Sequence, residues 1–169
     1  MGKLFTIILI LLNLNIYAQD ADEYWAKWKK NYPQVNVLEV LKFERHYADS
    51  VEKHPRIPPY YARLDKFRFT AEYIGETRPV AKDVFQSMSQ VFKLFVGDPS
   101  QLNGLLDSEV LFKVGDEQVW MPIQTKILKA LQEEAKVTDK IVLYCLFLNQ
   151  HTSKNKLYNS FFISEFSFE

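Results

Sequence analysis

Three histidines, one cysteine and a scatter of carboxylates are the side chains here whose types could do chemistry. His46 is followed three residues later by Asp49, a spacing that puts two metal-ligand types on one helix face. A structural zinc site wants four closed ligands and a catalytic one three. No third ligand follows at a fixed spacing, so the pair reads as a solvated face, and neither a metal nor another cofactor is implied. His54 precedes Pro55 and reads as a helix C-cap, where a cation is favourable. His151 falls in a polar stretch, 149–155, that reads as a loop. Cys145 lies within Ile141-Val142-Leu143-Tyr144-Cys145-Leu146-Phe147-Leu148. A nucleophilic thiolate needs an exposed, electropositive setting. This run predicts the opposite, a small buried hydrophobe in a strand.

The phosphate-binding, dinucleotide, nucleophile-elbow, zinc-protease and calcium-loop motifs are all absent from the sequence. Glycoside hydrolysis needs two carboxylates whose separation is set only in three dimensions. Glu76, Asp107, Glu109 and Glu165 fall at the ends of predicted elements and are the candidates for such a pair. Nothing in the sequence selects among them, so no catalytic residue is assigned.

Binding chemistry has better candidates. Trp120 alternates away from Val119 and Met121, which puts it on the face opposite the presumed core. There it is either an anchor for a partner or a side chain covered by the helix expected over 79–95. Tyr60, Tyr61 and Arg63, at the start of a long strand, complete a candidate binding set with Trp120. Further along that strand, Phe67 and Phe69 alternate with Lys66 and Arg68. Rings on the face away from the charges are core, not a stacking platform for single-stranded nucleic acid. The whole chain carries 21 basic and 21 acidic residues, so no global field favours nucleic acid either.

The elements that must position these residues follow from periodicity. Lys3 followed by the apolar run Leu4 to Leu14, with Ala18 at the cut, has the pattern of a secretory signal peptide, too short for a membrane span. Tyr17-Ala18-Gln19 resembles signal peptides of the Bacteroidetes group of bacteria. The expectation is cleavage after Ala18, a periplasmic or secreted protein, and no transmembrane segment once the leader is gone. An exported chain is free to use disulfides, yet the lone Cys145 cannot form an internal one.

Residues 20–32 predict a first helix with Trp25 and Trp28 on one face, ended by Pro33. Asn36 with Glu39 three residues on starts a second. Pro55-Arg56-Ile57-Pro58-Pro59 is a stiff connector. A strand is predicted over 60–74, broken by Gly75, with Phe67, Phe69, Ala71 and Tyr73 inward. Thr77 and Pro79 then open a helix running to Phe95. Residues 110–114 and 118–121 flank Gly115-Asp116-Glu117 as a hairpin, with Pro122 at an edge or strand end. A helix over 125–135, a doubly apolar strand over 140–148 and a strand over 157–168 complete the order. In that last strand Tyr158, Phe162, Phe166 and Phe168 share one side.

Five strands with a helix between the third and fourth resemble, in element order alone, the oligonucleotide/oligosaccharide-binding (OB) barrel. The expected fold is therefore α+β: a small five-stranded antiparallel OB-like barrel with two interspersed helices, preceded by two N-terminal helices. The rival is an open antiparallel sheet with helices on one face. The expected organisation is a signal peptide over 1–18, a helical segment over 19–55 and a barrel over 56–169. Export, an aromatic-rich core and the lack of a catalytic motif point to a non-enzymatic binding or interaction module. Its expected partner is a protein or glycan of the bacterial envelope. The alternatives are a small periplasmic hydrolase using a carboxylate pair and a periplasmic immunity protein.

Overall fold

The computed structural model describes residues 22–54, 61–152 and 156–169. The expected leader over 1–18, the proline-rich connector and Tyr60 lie outside them. Helix α1 (22–31) and helix α2 (Val37–Lys53) come first. Asn36 caps α2 through its Oδ1, which accepts from the Leu38 and Glu39 amides at 3.1 and 3.5 Å. His54 is the C-cap, its backbone N–H donating to Ser50. Strand β1 (Tyr61–Pro79) is followed by α3 (Lys82–Phe95) and a short 3-10 turn (Pro99–Leu102). The hairpin β2 (Ser108–Val114) and β3 (Glu117–Ile123) leads into α4 (Thr125–Glu134). Strands β4 (Lys140–Thr152) and β5 (Lys156–Phe168) end the chain.

The class is α+β, with the strands in one ring ordered β1-β2-β3-β5-β4 and β4 returning to β1. Neighbours run antiparallel except where β3 meets β5, which is parallel and rests on one register pair, Ile123 with Ile163. The expected wholly antiparallel sheet is corrected at that seam. Helix α4 and β4 intervene between β3 and β5, so the two reach the seam in the same direction.

Alternation decides what lies inside. Phe69, Ala71 and Tyr73 point into the ring with Phe112, Leu143, Phe147, Phe161 and Ile163. Leu131 of α4 and Val37 and Leu41 of α2 join the same cluster, so α2 packs on the ring as part of its core. Each such side chain contributes roughly 1.5–3 kcal/mol by leaving water. A second cluster lies between α3 and the outer face of the sheet, where Met88, Val91 and Phe92 meet Leu148 and Phe162.

Three expectations are corrected. Gly75 does not end the first strand: β1 continues to Pro79, with a register shift against β2 between Tyr73 and Thr77. Gly75 supplies the left-handed turn of that irregularity, φ +86°. Thr77 and Pro79 therefore belong to β1, and α3 starts at Lys82. Pro122, as expected near a strand end, is the last residue but one of β3, opposite Glu109. Residues 149–152 are strand, not loop, because β1 and β5 are long enough to pair with them; residues 153–155 lie outside the described residues.

The facing of β5 is also not uniform. Tyr144 pairs with Glu165 but Cys145 with Ile163, which leaves Ser164 as an extra residue and inverts the alternation. Phe166 thus faces the ring interior while Phe162 lies under α3. Gly75→Ala is expected to cost about 1–2 kcal/mol, because any Cβ there is held in the left-handed region. It would also meet Val137 Cγ2 at 2.7 Å. Chemical denaturation of the variant beside the parent checks this.

Candidate functional site

Beyond the apolar interior, the inward faces of β1, β4 and β5 turn polar. Arg63 pairs in register with Asn149, and Tyr61 with His151. These positions share the strand face of Phe67 and Phe147, not the solvent face. Asn149 is fully buried, and its Nδ2 donates to Asn159 Oδ1 at 2.7 Å. Helix α2 contributes Glu44, 1 % exposed, whose Oε1 lies 2.7 Å from Arg63 Nη2. Arg63 Nε is also 2.7 Å from Asp65, and the guanidinium stands 5.4 Å from the Phe147 ring centre.

One arginine therefore holds two carboxylates at the mouth of an apolar interior. Burial raises the Glu44 carboxyl above its ordinary range, and the Arg63 charge opposes that shift without cancelling it. Burial likewise raises the Tyr61 phenol, against the pull of Arg63. Tyr47 of α2 packs on Tyr61 with ring centres 4.8 Å apart.

Trp120 stands elsewhere. The Arg78 guanidinium lies 4.1 Å from its ring centre and donates from Nε to the buried Glu109 at 2.8 Å. The cover over Trp120 is thus Arg78 of β1, in place of the helix expected over 79–95. Tyr61 and Arg63 come together; Trp120 does not join them.

Three of the four candidate acids are separately engaged. Glu109 takes Arg78, Glu165 accepts from Tyr24 at 2.7 Å, and Asp107 accepts from Thr125 at 3.3 Å. Glu76 is exposed. His151 is buried in β4 at 1 % exposure, which corrects its expected place in a polar loop. Cys145 is fully buried, and burial holds its thiol well above the ordinary value. Such a thiol is inert as a nucleophile.

Helix α1 falls where the sequence predicts it, but its docking on β4 and the cleft it walls are not anticipated by the spacing of Trp25 and Trp28. Trp25, Trp28 and Tyr32 all pack on the fully buried Tyr144 of β4, with ring centres 5.7, 5.5 and 5.9 Å away. The end of α1 is pinned by Arg68 Nη1, which donates to the Lys29 and Tyr32 carbonyls at 2.8 and 2.7 Å. The Arg68 backbone is bonded to the residues after α1 as well, accepting from the Val35 amide and donating to the Pro33 carbonyl in a parallel bridge with Gln34.

Between α1 and β1 opens a cleft of about 390 Å³, lined by Tyr24, Lys27, Trp28, Asn31, Tyr32 and Lys66. Its signal was present in the sequence. Tyr24, Trp28 and Tyr32 recur every four residues, with Lys27 and Asn31 beside them at i+3 and i+7. No helix among the described residues is long and apolar enough to cross a membrane. Compared with known proteins, the chain matches no family model and no curated sequence.

Proposed function

We propose that the chain is an exported, non-enzymatic binding module of a bacterial envelope, built on an OB-like ring, whose ligand is a protein or glycan. The ring order and the parallel meeting of β3 and β5 support the OB-like reading, with α3 as an insertion between the first two strands. Export rests on the leader pattern over 1–18.

The observation that carries the binding reading is where the polar chemistry sits. Glu109, Glu165 and Asp107 are each engaged by a different partner and Glu76 is exposed, while the cleft beside α1 is walled by rings, an amide and ammonium groups. That inventory holds and orients a ligand; it contains no acid and base facing each other across a bond.

The test is equilibrium retention of the purified protein on immobilised envelope polysaccharide and envelope protein. The expected result is saturable retention on one of them, with the ligand recovered intact. Retention on neither overturns the proposal. Shortened polysaccharide whose production stops in Glu109→Gln overturns it in favour of hydrolysis. N-terminal sequencing of the exported protein is expected to begin at Gln19.

A further inference from the structure

We propose that the cleft between α1 and β1 is a binding site for an acidic saccharide. The inference rests on the binding-module reading and gives it a place and a ligand class.

The cleft is built before any ligand arrives. Tyr24 is oriented by its hydroxyl bond to Glu165, and Trp28 is wedged between Tyr32, 4.9 Å away centre to centre, and Tyr144 beneath. The helix carrying them is tied down at its C-terminal end by Arg68. Rings held this way lose little freedom on binding, which is what makes aromatic walls effective.

The charge is one-sided. Lys27 and Lys66 line the cleft and no carboxylate does. Among the described residues neither ammonium belongs to an ion pair; Lys66 Nζ instead stands 5.7 Å from the Tyr32 ring centre. A chain of zero formal net charge thus gathers two ammonium groups beside the exposed Tyr24 ring and the half-buried Trp28.

A ligand that uses all of this must present three features together. It needs a flat C–H face for Tyr24 and Trp28, hydroxyls for the Asn31 amide, and a carboxylate for the two lysines. A sugar ring bearing a carboxylate has them on one rigid unit. A neutral sugar leaves both lysines unused. An acidic peptide supplies charge without the repeated ring face.

The experiment titrates the purified protein with a galacturonate trimer, following tryptophan fluorescence, with maltotriose and hexaglutamate in parallel. The expected result is a saturable change with the galacturonate alone. It should weaken several-fold, up to about thirtyfold, in the double variant Lys27→Ala/Lys66→Ala, and weaken on adding salt. Both lysines are exposed, so the double variant should keep the parent's unfolding midpoint.

No saturable change with galacturonate overturns the site, as does equal affinity in the double variant. Equal or tighter binding of hexaglutamate overturns it in favour of an acidic peptide, and equal binding of maltotriose removes the role of charge. Should the site fail while envelope retention persists unchanged in the double variant, the binding-module reading stands; loss of retention in the parent protein sinks both.

Discussion

Replacing Phe69 by alanine is expected to destabilise the protein by about 3–5 kcal/mol. Phe69 is 2 % exposed on the inward face of β1 and meets Phe161 of β5 edge to face, with ring centres 5.4 Å apart. Phe147 packs on the same Phe161 at 4.7 Å. The ring interior is thus a chain of touching aromatics. Its walls beside Phe69 are β1 and β4, each paired with two neighbouring strands, which cannot collapse inward to fill the space. The cavity stays, and its cost adds to the lost transfer energy. Urea unfolding followed by circular dichroism measures the effect; a near-neutral result would invert the facing of β1.

Arg63→Met is expected to cost about 3 kcal/mol at neutral pH, because it strands the Glu44 carboxylate in a site with 1 % exposure. The figure stands at the low end because the Arg63 side chain itself keeps 27 % of its exposure and also serves Asp65.

The pH dependence gives the loss a signature. In the parent, Glu44 already has a folded pKa above its unfolded value, so the folded state binds more protons. Its contribution is fully present below the unfolded pKa, ordinarily 4.5, and is lost as pH rises through the folded one. Removing Arg63 removes the positive charge that lowers that pKa. The variant should therefore fall furthest behind the parent at neutral pH and approach it in acid, where Glu44 is protonated in both. Glu44→Gln introduced into Arg63→Met should recover most of the neutral-pH loss. A penalty that is flat with pH, or unrelieved by Glu44→Gln, would mean that Arg63 acts through packing on Phe147 alone.

Much of this architecture could be read from the residues. Helical spacing located α2 and α4, and alternation gave the inward face of β1, because burial imposes the same period on sequence and structure. Where reading failed, a residue was doing two things at once. Gly75 looks like a breaker, yet its left-handed backbone lets β1 bend and continue. Asn149, Gln150 and His151 look like a loop by composition, but long neighbouring strands bury them and Asn159 and Gln90 give the amides partners.

Ser164 shifts the phase of β5 by one, which no periodicity count anticipates. The candidate sites were less legible, for a different reason. Glu44 and Arg63 belong to separate elements, as do Glu109 and Arg78, and only the ring brings them to 2.7 and 2.8 Å. The α1 stripe was legible in spacing, but rings at such spacing are usually buried, and the exposure of Tyr24 at 45 % appears only in the fold.

The seam between β3 and β5 has a consequence in time. Among the described residues the two strands meet at one register pair, supported by the Gln124 amide on Ile163, whereas β4 is paired with β1 and β5 along nearly its whole length. Protection against solvent hydrogen exchange should follow that inequality. Amides of β4 report the global unfolding event, while the ring breathes at its seam through smaller excursions. Helix α2 holds the other end of β3: Leu38 lies against Gly115 at the hairpin tip, and Arg45 reaches Glu117 at the start of the strand. The slowest and fastest exchanging parts of one small sheet should then lie side by side, β4 against the β5 strand that carries the seam.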